Sequence, residues 1–145
     1  MLKVSKLTDY ATVILSFMAK DDSRTCAAVE IASVTGIALP TVSKILKALV
    51  NANVLVSTRG SKGGYALATS PDHITVARII SALEGPIAVT ECSISQQGCE
   101  QATGCNLRGH WNVINQAIYN ALESVTLADM IKPQETLIPI TSLYR

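Results

Sequence analysis

The sequence predicts a mainly helical α+β fold in one compact unit. Three observations point to it. Apolar residues recur at helical spacing through several segments. Two short β-prone runs flank a basic, glycine-rich turn. A long final stripe of apolar residues steps by threes and fours along the chain. The 145 residues are 48% hydrophobic, enough to bury a core and too apolar for a disordered chain. Only 4% are aromatic, so Ala, Val, Ile and Leu fill that core. Broad stacking platforms for single-stranded nucleic acid are not expected.

Leu7, Ala11, Ile14, Leu15 and Met18 share one face of a helix over residues 6–20. Ser5 and Thr8 are candidate caps, and Asp9 suits the positive end of the helix dipole. A short helix over 27–35 carries Val29, Ile31, Ala32 and Val34 and stops at Gly36. Pro40 fits the first turn of the next helix, where its missing N–H costs nothing. There Val42, Ile45, Leu46, Leu49 and Val50 form a full buried stripe, while Thr41, Ser43, Lys44 and Lys47 point elsewhere. Two helices joined through a glycine turn, the second with a polar and basic outer face, read as helix-turn-helix. A generic helical hairpin is the bland alternative.

The hairpin that follows sharpens this reading. Val54–Ser57 and Tyr65–Ala68 are β-prone, and Arg59-Gly60-Ser61-Lys62-Gly63-Gly64 turns between them. A nucleotide-binding loop is excluded, because the Walker spacing is absent and no helix opens after the turn. Helix-turn-helix plus basic hairpin is a winged helix. Ser70-Pro71-Asp72 then breaks the chain. Thr75 caps a helix bearing Val76, Ile79, Ile80 and Leu83, which ends at Gly85-Pro86.

Residues 87–105 show little periodicity. From Asn106 a long helix places Leu107, Trp111, Ile114, Ile118, Leu122 and Val125 at near 3.5-residue spacing. So long a seam in so small a protein reads as a dimer helix. Thr126-Leu127-Ala128-Asp129 resembles a capping box opening a short last helix. The segment Leu137-Ile138-Pro139-Ile140 either pairs or frays. The expected organisation is a DNA-binding winged helix over 1–86, a cysteine loop over 87–105, a dimerisation helix with its short cap helix over 106–131, and a tail over 132–145.

Charge separates the two halves. Residues 1–65 carry eight Lys/Arg against four Asp/Glu, and residues 66–145 carry four against seven. No acid lies between Glu30 and Asp72, where Lys44, Lys47, Arg59 and Lys62 stand. An acid-free stretch with spaced cations suits a polyanion such as double-stranded DNA. No window reaches the length of a membrane span. The start, Met1-Leu2-Lys3-Val4-Ser5-Lys6, has no signal-peptide core, so a cytoplasmic protein without a membrane partner is expected. No acid–base pair, nucleophile constellation or nucleotide loop stands out, so neither an enzyme nor a small-molecule substrate is expected.

Three of the four cysteines, Cys92, Cys99 and Cys105, fall within 14 residues. Thiolates are soft ligands for iron–sulfur clusters, Cu(I) and zinc. Structural zinc sites use closer pairs, so intervals of six and five residues lean towards a cluster. Zinc or unligated redox thiols remain the alternatives. His110, Asp9 and Glu91 are candidates for a fourth ligand. Cys26, beside Ala27 and Ala28, reads as a packing residue.

The chain resembles the IscR-type winged-helix regulators that bind iron–sulfur clusters, most of all the branch governing the SUF assembly system. The resemblance rests on Ser5-Lys6-Leu7-Thr8-Asp9-Tyr10-Ala11, Leu39-Pro40-Thr41-Val42-Ser43-Lys44, Arg59-Gly60-Ser61-Lys62-Gly63-Gly64-Tyr65, Ala82-Leu83-Glu84-Gly85-Pro86-Ile87 and Thr90-Glu91-Cys92. It implies a homodimer that regulates cluster-assembly genes, as a repressor, from a pseudo-palindromic operator. Thr41, Ser43 and Lys44 would face base edges, with Pro40 setting the helix entry, while Lys47, Arg59, Ser61 and Lys62 would mostly hold phosphates, Arg59 also reaching a groove. It also implies a cluster on Cys92, Cys99 and Cys105, [2Fe-2S] being favoured and [4Fe-4S] an option, which senses cluster supply or oxidative and nitrosative stress. Some relatives complete the ligand set with a histidine three residues after the last cysteine, a position held here by Arg108. Nitric-oxide-sensing relatives use an early aspartate of the other subunit, matched here by Asp9, with His110 as the alternative. The first cysteine interval is one residue longer than in much of the family. Ser43 stands where some relatives carry a glutamate on the recognition helix. The rival readings are a winged-helix regulator with a zinc or thiol-redox loop and a winged-helix protein-interaction module.

Overall fold

The Ser5 hydroxyl accepts from the Thr8 backbone N–H at 3.2 Å and opens the first helix, α1, Lys6–Ala19. The computed structural model describes residues 2–95, 97, 99–101 and 103–133. The tail segment Leu137–Ile140 and the glycine before Cys99 lie outside the described residues. Two helices follow α1, namely α2, Ala28–Thr35, and α3, Leu39–Asn51. Gly36 sits between them at φ 73°, a left-handed conformation that ends α2 without a Cβ penalty. Pro40 lies in the first turn of α3.

Strands β1, Leu55–Thr58, and β2, Gly64–Leu67, pair antiparallel, with Leu55 opposite Leu67 and Thr58 opposite Gly64. A 3-10 turn at Pro71–His73 leads to α4, Val76–Glu84, which the Thr75 side chain caps. Next come α5, Glu91–Ile94, then α6, Arg108–Glu123, and α7, Leu127–Ile131. The last is opened by a complete capping box between Thr126 and Asp129. The architecture is a mainly helical bundle with a two-stranded wing, as the sequence predicts.

The core gathers the stripes of α1, α3 and α4. Ile14, Leu15, Ile31, Val42, Ile45, Leu46, Leu49, Val54, Leu55, Ile74 and Ile79 are fully buried. Each such side chain contributes about 1.5–3 kcal/mol of transfer free energy. On α2 only Ile31 is buried, while Val29 and Val34 face outward. The sequence could not separate these, because a helix of eight residues shows barely two turns of pattern.

Leu127 also belongs to this core, at 0% exposure. Its backbone N–H donates to the Ile74 carbonyl at 2.7 Å, and the Val76 N–H donates to the Val125 carbonyl at 2.9 Å. Thr75 and Thr126 thus form a β-bridge. The chain therefore leaves the head through the cysteine loop and α6, then returns to plug it.

Glu84, at the end of α4, closes the other side of the head. Its Oε1 accepts from the Ser5 N–H and from the Thr8 hydroxyl, both at 2.6 Å. These bonds, the Thr8 hydroxyl's first, hold the Glu84 carboxyl below its ordinary range.

Candidate nucleic-acid interface and cysteine loop

The outer face of α3 is polar because its inner face is spent on the core. Ser43, Lys44 and Lys47 are exposed and Thr41 is half-buried, one step round the helix from Val42, Ile45 and Leu46. Pro40 is exposed at the start of the helix.

The wing is locked to the helix-turn-helix at its base. The Cys26 N–H donates to the Tyr65 carbonyl and the Tyr65 N–H to the Cys26 carbonyl, each at 2.8 Å. Gly64, at φ 150°, passes so close that a Cβ there would meet the Cys26 carbonyl oxygen at 2.5 Å. A Cβ on Gly63 would meet the Thr58 carbonyl oxygen at 2.3 Å. Both glycines are therefore demanded by backbone approach. The tip is closed by the Gly63 N–H donating to the Gly60 carbonyl at 3.0 Å, leaving Arg59, Ser61 and Lys62 exposed.

Among the described residues the ion pairs are Arg24–Glu30 and Lys132–Asp129. Lys44, Lys47, Arg59 and Lys62 take part in neither. Four exposed cations without internal counter-ions, on a helix and the wing beside it, form a surface suited to phosphates.

The thiols divide sharply. Cys26 is buried, and burial pushes its thiol pKa up. Cys92 and Cys99 are half-buried, Cys105 is exposed, and all are free. Cys92 lies in α5, a four-residue helix that the aperiodic sequence of the loop did not reveal. The Thr90 hydroxyl is 3.1 Å from its sulfur. His110 is exposed in the first turn of α6, and Asp9 is exposed in the first turn of α1. Among the described residues, no group of three or more His, Cys, Asp or Glu side chains converges as a metal site. In its donors the loop fits a thiophilic group: three free sulfurs within one solvent-reachable segment. Among the described residues no fourth donor joins them.

The long helix carries two faces. Asn115, Tyr119 and Glu123, four residues apart, face the head. Asn115 accepts from the Val89 N–H at 2.9 Å and donates to the Ile87 carbonyl at 3.2 Å. Glu123 accepts from the Thr75 hydroxyl at 2.9 Å. About a quarter-turn away lies the seam, with Leu107 60%, Trp111 37% and Ile114 43% exposed. None of the residues of α6 is buried. The helix begins at Arg108 rather than Asn106, without a side-chain cap.

Residues 4–133 match the family described as Rrf2, iron-dependent transcriptional regulator. The chain belongs to the Rrf2 family. It is 31% identical over 149 residues to the HTH-type transcriptional regulator NsrR of Oceanobacillus iheyensis, covering 99% of each chain. Among solved structures it is similar to CymR (YrzC), the global cysteine regulator of B. subtilis, with TM-score 0.68 and 32% identity over 90% of this chain and 97% of that one. It is also similar to T. potens IscR, with TM-score 0.68 and 26% identity over 97% and 96%. The expected fold and the IscR-type resemblance are borne out. The chain is a DNA-binding transcriptional regulator, not an enzyme, as an Rrf2 protein. Among the described residues no helix is long and apolar enough to cross a membrane.

Proposed function

We propose that this Rrf2 protein is a cytoplasmic, homodimeric repressor of iron–sulfur cluster assembly genes, with the cysteine loop as its sensor. The observation that carries the reading is the division among the thiols: Cys26 is sealed in the core, while Cys92, Cys99 and Cys105 are free and reachable on one loop. Cys92, Cys99 and Cys105 would hold a [2Fe-2S] cluster, with the partner's Asp9 as fourth ligand and His110 as the alternative. When bound, such a cluster supplies a centre that oxidants and nitric oxide degrade.

The chain's own residues do the rest. The seam of α6, with Trp111 37% and Ile114 43% exposed, pairs with its copy. Pairing sets the two α3 helices in successive major grooves about 34–36 Å apart. Pro40 starts each helix, and Thr41, Ser43 and Lys44 reach base edges. Lys47, Arg59, Ser61 and Lys62 hold phosphates and fix the register on a pseudo-palindromic operator. Asn115 ties α6 to residues 87–89 at the start of the cysteine loop, one route by which a change in the loop would reach the dimer axis.

Anaerobic purification followed by visible spectroscopy, iron and acid-labile sulfide analysis tests the sensor. A coloured protein that loses its colour in Cys92→Ala, Cys99→Ala and Cys105→Ala is expected. A colourless, iron-free protein after anaerobic reconstitution overturns the reading. A second reading, with the same DNA-binding body, makes the loop a zinc or thiol–disulfide site. It draws on the same three free thiols, which suit zinc or disulfide chemistry as well. Zinc without sulfide or colour would establish it.

A further inference from the structure

A polar cavity of about 370 Å³ lies where α4 meets α6. Its walls include His73, Thr75, Arg78 and Ser81 from the head and Tyr119 and Glu123 from the long helix. The volume lies in the range of small-ligand sites. Two opposite charges share the space without neutralising each other, since neither Arg78 nor Glu123 enters an ion pair among the described residues. Arg78 spends Nη2 on the Asn53 carbonyl at 2.7 Å, which leaves other guanidinium donors for a ligand. Glu123 spends Oε2 on the Thr75 hydroxyl, which leaves Oε1. The Ser81 and Tyr119 hydroxyls add neutral donors and acceptors.

This charge pattern selects among ligands. A plain anion on Arg78 would share the cavity with the Glu123 carboxylate. A plain cation on Glu123 would face the guanidinium. A molecule carrying both charges satisfies both walls. We propose that this cavity binds a small zwitterion of the α-amino acid class, its carboxylate on Arg78 and its ammonium on Glu123. The site bridges the head and the long helix. Through Asn53, whose φ is 58° in the turn between α3 and β1, it also touches the link from recognition helix to wing. Such a ligand acts as an effector, and its binding does not depend on what the cysteine loop holds.

The experiment is thermal melting of the full chain with each proteinogenic L-amino acid, followed by calorimetry on those that raise the Tm. At least one is expected to raise it. Its α-hydroxy acid and its amide, each lacking one charge, should bind at least tenfold more weakly. Arg78→Gln and Glu123→Gln should each lose the same tenfold or more. Glu123→Gln keeps an oxygen for the Thr75 hydroxyl, so it stays informative if Arg78→Gln unfolds. Tyr119→Phe, which removes only a hydroxyl, should weaken binding less. No stabilising amino acid, equal binding of the hydroxy acid, or undiminished binding in Glu123→Gln overturns the proposal.

Discussion

The head and the long helix are built from similar apolar residues and meet opposite fates. In the head, Leu46, Leu49 and Ile45 of α3 find α1, α4 and β1 waiting and vanish from solvent. Along α6 and at the residue before it, Trp111, Ile114 and Leu107 stay exposed among the described residues. Helical period alone does not tell core from interface; what differs is whether other elements arrive to cover the stripe. The head buries its stripes, with Leu127 among them, whereas the long helix leaves part of its apolar stripe in solvent.

Substitutions on the two stripes test that contrast most strongly. Leu46→Ala should cost about 2–5 kcal/mol in urea or thermal unfolding, the usual range for emptying a packed site. Ile114→Ser should leave far-UV dichroism intact and shift sedimentation from dimer to single chain. Equal loss of folded structure in both variants would break the distinction.

The cysteines repeat the comparison on a smaller scale. Cys26→Ser places a hydroxyl in the core and should lower the Tm measurably. Cys105→Ser in metal-free protein should change stability by no more than about 0.5 kcal/mol, as surface changes do.

On the DNA side, Arg59→Ala should weaken binding to all sequences and flatten the salt dependence by about one unit, read by fluorescence anisotropy at several ionic strengths. An unchanged slope would remove the wing from the interface.

The smallest effect concerns the latch between α4 and α1. Glu84 has a folded pKa below its usual 4.5. Its contribution is therefore full above that usual value and is lost as pH falls through the folded one. Glu84→Gln should lower stability most near neutral pH and least in acid, where the contribution is already lost, so the acid side of the stability curve flattens, as melting across pH 3–7 would register.

Much of the head was legible because its signals are local. Ser5, Thr75 and Thr126 cap helices where the sequence places them, and Gly36 and Pro40 punctuate the turn. The wing was legible because Arg59–Gly64 can do little but turn. What escaped depends on residues far apart. Nothing in the periodicity of α7 announces that Leu127 belongs under α1. Thr75 and Glu123 stand 48 residues apart, and only folding brings them to one cavity. The same limit applies to the cysteine loop. Its sulfur content is written in the sequence, whereas whether donors converge is decided by the fold, and among the described residues no three do.

The return of Leu127 to the head governs the order in which the molecule can be made. A ribosome delivers the recognition helix and wing early, yet the hole that Leu127 fills stays open until α6 has been synthesised. A fragment ended after residue 86 lacks both that plug and the Thr126 strand partner of Thr75. The nascent DNA-binding half therefore reaches its final stability only after α6 and α7 have emerged, so its grip on a duplex matures last.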